Sequence, residues 1–170
     1  MVFEITKTCC FTGHRFKNFD FSDKEDNQKR FNIKRCLREE INKAIKLNFK
    51  HFISGGAIGV DTWSIEIILK IKKDNPFITY EIVVPCVGQS DSWSNKNKKE
   101  YEKITFNADK LTFLSNRKYF SGCMQIRNKY MVDNSNLIIA VYDGFSLGGT
   151  KNTISYAKKC KKNLIIIGNW

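Results

Sequence analysis

Residues 136–142 read NLIIAVY. Apolar side chains stand there in an unbroken row, so a strand built from them points hydrocarbon at both faces of its sheet. Burial on both faces belongs to a parallel sheet covered by helices. Residues 163–168, NLIIIG, repeat the pattern. Residues 80–85, YEIVVP, form a third β-rich run that proline stops.

Outward from these runs the chain alternates strand and helix. Thr8–Thr12, His51–Ser54 and Lys110–Leu114 are short β-prone stretches. Between them, Asn27–Leu47 has helical spacing, with Ile33, Leu37, Ile41, Ala44 and Ile45 on one face. Gly59–Lys72 is apolar on most sides, which predicts a deeply packed helix. Asn95–Asn107 is polar and charged and predicts a solvent-facing one. Gly122–Asn134 and Gly149–Lys159 complete the helical set. Helical crossovers between parallel strands predict an α/β, Rossmann-like three-layer sandwich, a mostly parallel sheet with helices on both faces. No repeat or Pro/Gly-rich linker interrupts the pattern, so residues 1–170 read as one domain. The polar segment Lys17–Asn27 is the expected flexible loop.

Composition narrows the class. No apolar run reaches the roughly 18–20 residues that cross a bilayer. The start, MVFEITKTCCFTG, lacks the basic-then-apolar order of a signal peptide, so the expected location is cytoplasmic. The six cysteines include no CxxC pair, and only His14 and His51 could join them. No metal site and no required cofactor are therefore expected. Cys9 and Cys10 sit in an apolar run and read as small core residues. The net charge of +12 favours polyanionic partners. Most of that excess is lysine dispersed along helices, which is equally a general surface property. No membrane partner is expected. Rossmann-like chains often pair, which leaves a homo-oligomer open.

In open parallel sheets, ligands bind beyond the carboxyl ends of the strands. The distinctive residues of this chain fall at those ends. Gly13, His14 and Arg15 follow the first strand. SGGAIGVD, Ser54–Asp61, follows the second; PCVGQSDSW, Pro85–Trp93, follows the third; YDGFSLGGT, Tyr142–Thr150, follows the fifth. Ser54, Gly55, Gly56 and Gly59 build a strand–turn–helix unit of the kind that brings backbone N–H groups to a phosphate. A tight turn with Asp61 as a cap-region acid is the structural alternative. Gly148, Gly149 and Thr150 repeat the same physics at a second helix start. Arg15 is placed to pair with a phosphate, and His14 to donate to the same anion. Arg127 and Asn128 either reach the site or, for Arg127, pair at the surface with Asp133. Trp93 could stack on a base and Gln89 could read its edge. Asp61 and Asp143 could hold ribose hydroxyls, and Asp61 is the candidate general base if a reaction occurs.

Taken together, TGHR (12–15), SGGAIGVDTW (54–63), VVPCVGQ (83–89), RNKYMVDNS (127–135) and AVYDGFSLGGTKNT (140–153) make the chain resemble the YpsA-like branch of the SLOG superfamily. The resemblance implies a Rossmann-like fold that binds a nucleotide-derived small molecule, ADP-ribose-like or a nucleoside phosphate, as a sensor or sequestering protein. Two relatives frame the alternatives. LOG enzymes hydrolyse the N-glycosidic bond of nucleoside monophosphates and carry PGGxGTxxE. This chain has GGAIGVD there, without the threonine and glutamate of that motif. The DNA-processing protein A family has a turn close to SGGAIGVD and binds single-stranded DNA, which the basic charge also suits.

Overall fold

The computed structural model describes residues 7–15 and 28–168. The predicted loop Lys17–Asn27 lies outside the described residues. Eleven elements alternate along the rest: β1 (Lys7–Gly13), α1 (Gln28–Lys46), β2 (Phe49–Ser54), α2 (Val60–Lys72), β3 (Thr79–Val84), α3 (Asn95–Phe106), β4 (Lys110–Phe113), α4 (Cys123–Asp133), β5 (Leu137–Val141), α5 (Gly149–Lys159) and β6 (Asn163–Ile167). The strands form one sheet in the order β4-β3-β2-β1-β5-β6, and every neighbouring pair is parallel.

The unbroken apolar runs divide their side chains as a parallel sheet requires. In β5, Leu137, Ile139 and Val141 join the core on the α1–α2–α3 side, while Ile138 joins the core on the α4–α5 side. Cys9 and Phe11 face the first core and Cys10 the second. Both cysteines are fully buried and fill the place of small hydrophobes. On α1 the stripe Ile33, Leu37, Ile41 and Ala44 is buried, and Ile45 packs at its margin. α2 is buried along most of its length because α1 and α3 flank it over the sheet. α3 buries only Ile104.

The strand order places the site. β1 hands the chain toward β2, and β5 hands it toward β6, so the connections diverge between two adjacent strands. That divergence opens a crevice at the carboxyl ends of β1 and β5. Thr12 pairs with Ala140 and Gly13 with Val141, so the two strand ends lie level. Two glycines then seat the end of β1 against the start of α2. A Cβ on Gly13 would fall 2.5 Å from Val60, and one on Gly59 would fall 2.7 Å from the carbonyl oxygen of His14. Gly59 also holds φ at 101°, a conformation that side chains resist.

Candidate functional site

A cleft of about 300 Å³ opens in this crevice, lined by Thr12, Gly13, His14 and Arg15 from β1 and its loop, Ala57 and Asp61 from the β2–α2 turn, Met124, Arg127 and Asn128 from α4, and Gly149 and Thr150 from α5. Four separate chain segments thus converge on one rim.

The β2–α2 turn is closed on itself. The Ser54 hydroxyl accepts from the Gly56 N–H at 3.1 Å and donates to the Asp61 carbonyl oxygen at 3.1 Å. The Ala57 N–H donates to Asp61 Oδ2 at 3.3 Å. The carboxylate of Asp61 therefore sits where a phosphate would sit in an open glycine turn. Ser54, Gly55, Gly56 and Gly59 shape the turn but do not line the cleft; Ala57 and Asp61 do. The amides at Gly56 and Ala57 are thus satisfied from within the turn.

Arg127 locks the same turn from behind. It is 6% exposed, so the surface pair with Asp133 does not form; Asp133 instead accepts from the Tyr156 hydroxyl. Arg127 Nη1 donates to the Gly55 carbonyl oxygen at 3.0 Å, and Nε donates to Asn128 Oδ1 at 3.0 Å. Gly55 has no Cβ because one would lie 2.2 Å from Arg127 Nη1. Burial pushes the Asp61 carboxyl above its ordinary value, opposed by the positive charge of Arg127, the Ala57 N–H and the charge of Arg15. Burial likewise pulls Arg127 below its ordinary value, with Asp61 opposing. The wall of the cleft thus carries a buried carboxyl and a buried guanidinium, each of which opposes the effect of burial on the other.

The opposite wall is open. α5 starts at Gly149 after Gly148, whose φ is 132°, and no side chain caps its first turn. Thr150 is the second helical residue, is buried, and lines the cleft. That first turn contains no acid. Its leading N–H groups carry the positive end of the helix dipole. α4 also starts uncapped after a glycine, Gly122. By contrast α3, which lines neither the cleft nor its neighbour, is capped by the Ser94 hydroxyl accepting from the Asn97 N–H at 3.3 Å.

His14 and Asp143 bridge the two strand ends. His14 is 3% exposed; its Nε2 lies 3.4 Å from Asp143 Oδ1, and its ring packs 5.6 Å from that of Tyr142. Asp143 accepts from the N–H groups of Phe145 and Ser146 at 3.1 Å and 2.9 Å, and from the Ser146 hydroxyl. Burial works against its charge, yet the Ser146 hydroxyl and these amides hold its carboxyl down to about 2. Asp143 supports His14 and its own loop from outside the cleft lining. Arg15 is exposed at the mouth.

A second depression of about 230 Å³ adjoins the first through Arg15 and Met124, which line both. It holds Gln89 and Trp93, with Tyr119 and Cys86. Gln89 Nε2 donates to the Gly55 carbonyl oxygen at 3.0 Å, which ties this wall to the closed turn. Trp93 is half-buried, edge-on to Tyr101 with centroids 5.3 Å apart. Met124 and Tyr119 were not legible as site residues. Nothing in their own type marks them; only the position of α4 and its preceding loop does. No group of three or more His, Cys, Asp or Glu side chains able to hold a metal occurs among the described residues.

A family model described as the YspA SLOG family matches residues 9–166, nearly the whole described chain. The chain belongs to the YspA SLOG family. This SLOG protein is 28% identical over 128 residues to UPF0398 proteins of Bacillus thuringiensis (strain Al Hakam) and Bacillus cereus (strain AH187), covering 75% of this chain and 70% of each relative. Among solved structures it is similar to DNA processing protein A from Streptococcus pneumoniae, with TM-score 0.68 at 15% identity over 97% of this chain. It spans about half of that structure, 51%. It is also similar to DNA processing protein A from Helicobacter pylori, whose single-stranded DNA binding mode has been described; the TM-score is 0.62 at 17% identity, covering 96% of this chain and 66% of that one. At these identities the structural likeness shows the fold alone.

Proposed function

We propose that the β1/β5 crevice binds the phosphate of a nucleotide-derived small molecule, and that the protein acts as a sensor or sequestering protein for it. One observation carries the reading: the uncapped start of α5 and the exposed Arg15 line the same cleft at the point where the strand connections diverge. Arg15 would pair with the anion at the mouth, while Gly149 and Thr150 would offer backbone donors. Asn128 and Asp61 face the part of the cleft where ribose hydroxyls would lie. The adjoining depression would take the base, with Trp93 and Tyr119 as apolar walls.

The test is calorimetric titration of the purified protein with AMP, ADP, ADP-ribose and cyclic nucleotides. Saturable binding at micromolar or tighter affinity is expected, weakened in Arg15→Ala. No binding across the panel would overturn the proposal. A second reading, single-stranded nucleic acid at the same cleft, is favoured by the net charge of +12 and the likeness to a DNA processing protein A known for such binding. It requires affinity that collapses with salt, because each neutralised phosphate releases counterions. Saturation by a mononucleotide at moderate salt would decide against it.

A further inference from the structure

Three large apolar side chains stand exposed at the amino ends of adjacent strands, on the edge of the sheet opposite the cleft. Leu47 comes two residues before β2, Phe77 two before β3, and Phe106 ends α3 four residues before β4. These three strands are neighbours in the sheet. Neighbouring strands lie about 4.8 Å apart, so the three positions form one short row. Their exposures are 63%, 80% and 90%. A single exposed apolar side chain needs no explanation; a row of them on one rim marks a contact surface.

Lysines surround the row. The crossover helices end at this edge, and α1, α2 and α3 carry Lys46, Lys70 and Lys72, and Lys103 in their last turns. The negative end of a helix dipole favours a cation there, but it does not remove the acids that would pair with it. Lys72 pairs with Asp109. Lys46, Lys50, Lys70, Lys73 and Lys103 have no hydrogen-bond or ion-pair partner among the described residues. Across residues 46–50, 70–77 and 102–110 the acids other than Asp109 are Asp74 and Glu102. Lys70, Lys73 and Lys103 line a groove of about 440 Å³ between the ends of α2 and α3, where Glu66 is already paired with Lys34 at 3.1 Å. Lys158 and Lys159, in the last turn of α5, extend the basic band along the same edge.

The composition of the edge selects its partner. A second copy of the chain would bring these lysines against their own kind. Nucleic acid is met by arginine, whose fork matches phosphate, and by rings that stack on bases. The three segments contain no arginine, and Leu47 has no ring. Apolar tips among lysines fit a surface with hydrocarbon beneath a layer of negative charge.

We infer that the amino edge of β2–β4 docks against an anionic lipid surface through Leu47, Phe77, Phe106 and the lysines around them. No helix of the described residues is long and apolar enough to cross a membrane, and lying against one requires no such helix. Docked this way, the chain keeps its carboxyl-edge cleft turned to solvent.

The experiment is co-sedimentation of the full chain with vesicles of phosphatidylcholine alone and of phosphatidylcholine with about one third phosphatidylserine. The wild type is expected to bind the anionic vesicles at least about tenfold more tightly, and less as salt rises. Phe77→Ser/Phe106→Ser and Lys46→Gln/Lys73→Gln/Lys103→Gln should each weaken that binding at least about tenfold. All five positions are exposed, so the thermal midpoint should hold in both variants. Absence of wild-type binding to anionic vesicles, or binding that survives in both variants, would overturn the inference. So would a single-stranded oligonucleotide that binds the wild type and is lost in the same variants, or a dimer that the phenylalanine variant dissolves.

Discussion

The two glycine turns that face each other across the cleft look alike in one dimension and differ in three. SGGAIGVD after β2 and LGGT before α5 both put glycines at a helix start. In the first, Ser54 and Asp61 use the Gly56 and Ala57 amides, and Arg127 takes the Gly55 carbonyl oxygen. In the second, no side chain caps the helix, and a Cβ on Gly149 would meet nothing nearer than 3.8 Å. Glycine therefore serves packing in one turn and access in the other. A turn that satisfies its own donors is a wall; one that leaves them open is a place for an anion.

The sharpest way to break this comparison is to disarm the closed turn. Arg127→Met would strip the Gly55 carbonyl oxygen of one of its two donors, leaving Gln89, and remove the positive charge that opposes burial of the Asp61 carboxyl, at a cost of about 1–3 kcal/mol. Chemical denaturation should show it as a lowered midpoint; an unchanged midpoint would mean that Arg127 does not lock the turn. The glycines come next. Gly55→Ala sets a Cβ against the Arg127 guanidinium and must displace it from its bond to the Gly55 carbonyl oxygen, for about 1–3 kcal/mol. Gly149→Ala should stay within about 1 kcal/mol of wild type or exceed it, since alanine favours helix. Equal losses at the two positions would erase the distinction drawn here.

Arg15→Ala separates binding from folding. The side chain is exposed, so the thermal midpoint should hold while affinity for ADP falls about tenfold or more. A fall in the midpoint with binding intact would assign Arg15 to structure instead. The smallest effects are in pH, and the two turns should show opposite signs. Asp143 has its folded pKa lowered to about 2, so its contribution is full above the ordinary aspartate value near 4 and is lost as pH falls toward 2. Asp61 has its pKa raised, so its contribution is full below the ordinary value and is lost as pH rises through the folded one. Denaturation midpoints against pH should show Asp143→Asn losing less stability than wild type on the acid side.

Much of this architecture was legible because period and burial agree. The NLIIAVY run announced a strand covered on both faces, and the α1 stripe from Ile33 to Ala44 announced which face of that helix is buried. The rim was legible through residue type: His14, Arg15, Asp61, Arg127, Asn128, Gly149 and Thr150 line one cleft. What sequence could not carry was the choice between a ligand and a neighbouring side chain. SGGAIGVD is the same string whether its amides wait for phosphate or hold Asp61, and only the position of that carboxylate, fixed by the packing of α2, decides. Gln89 was unreadable for a similar reason: its amide is held by a carbonyl oxygen 34 residues away in sequence. Met124 and Tyr119 reach the cleft through tertiary placement alone.

The most direct test of the account follows backbone amides by NMR as ADP is added. The largest shifts should fall on Gly149, Thr150 and Lys151, with Gly55, Gly56 and Ala57 nearly unmoved. Shifts centred on residues 55–57, with the start of α5 silent, would contradict it.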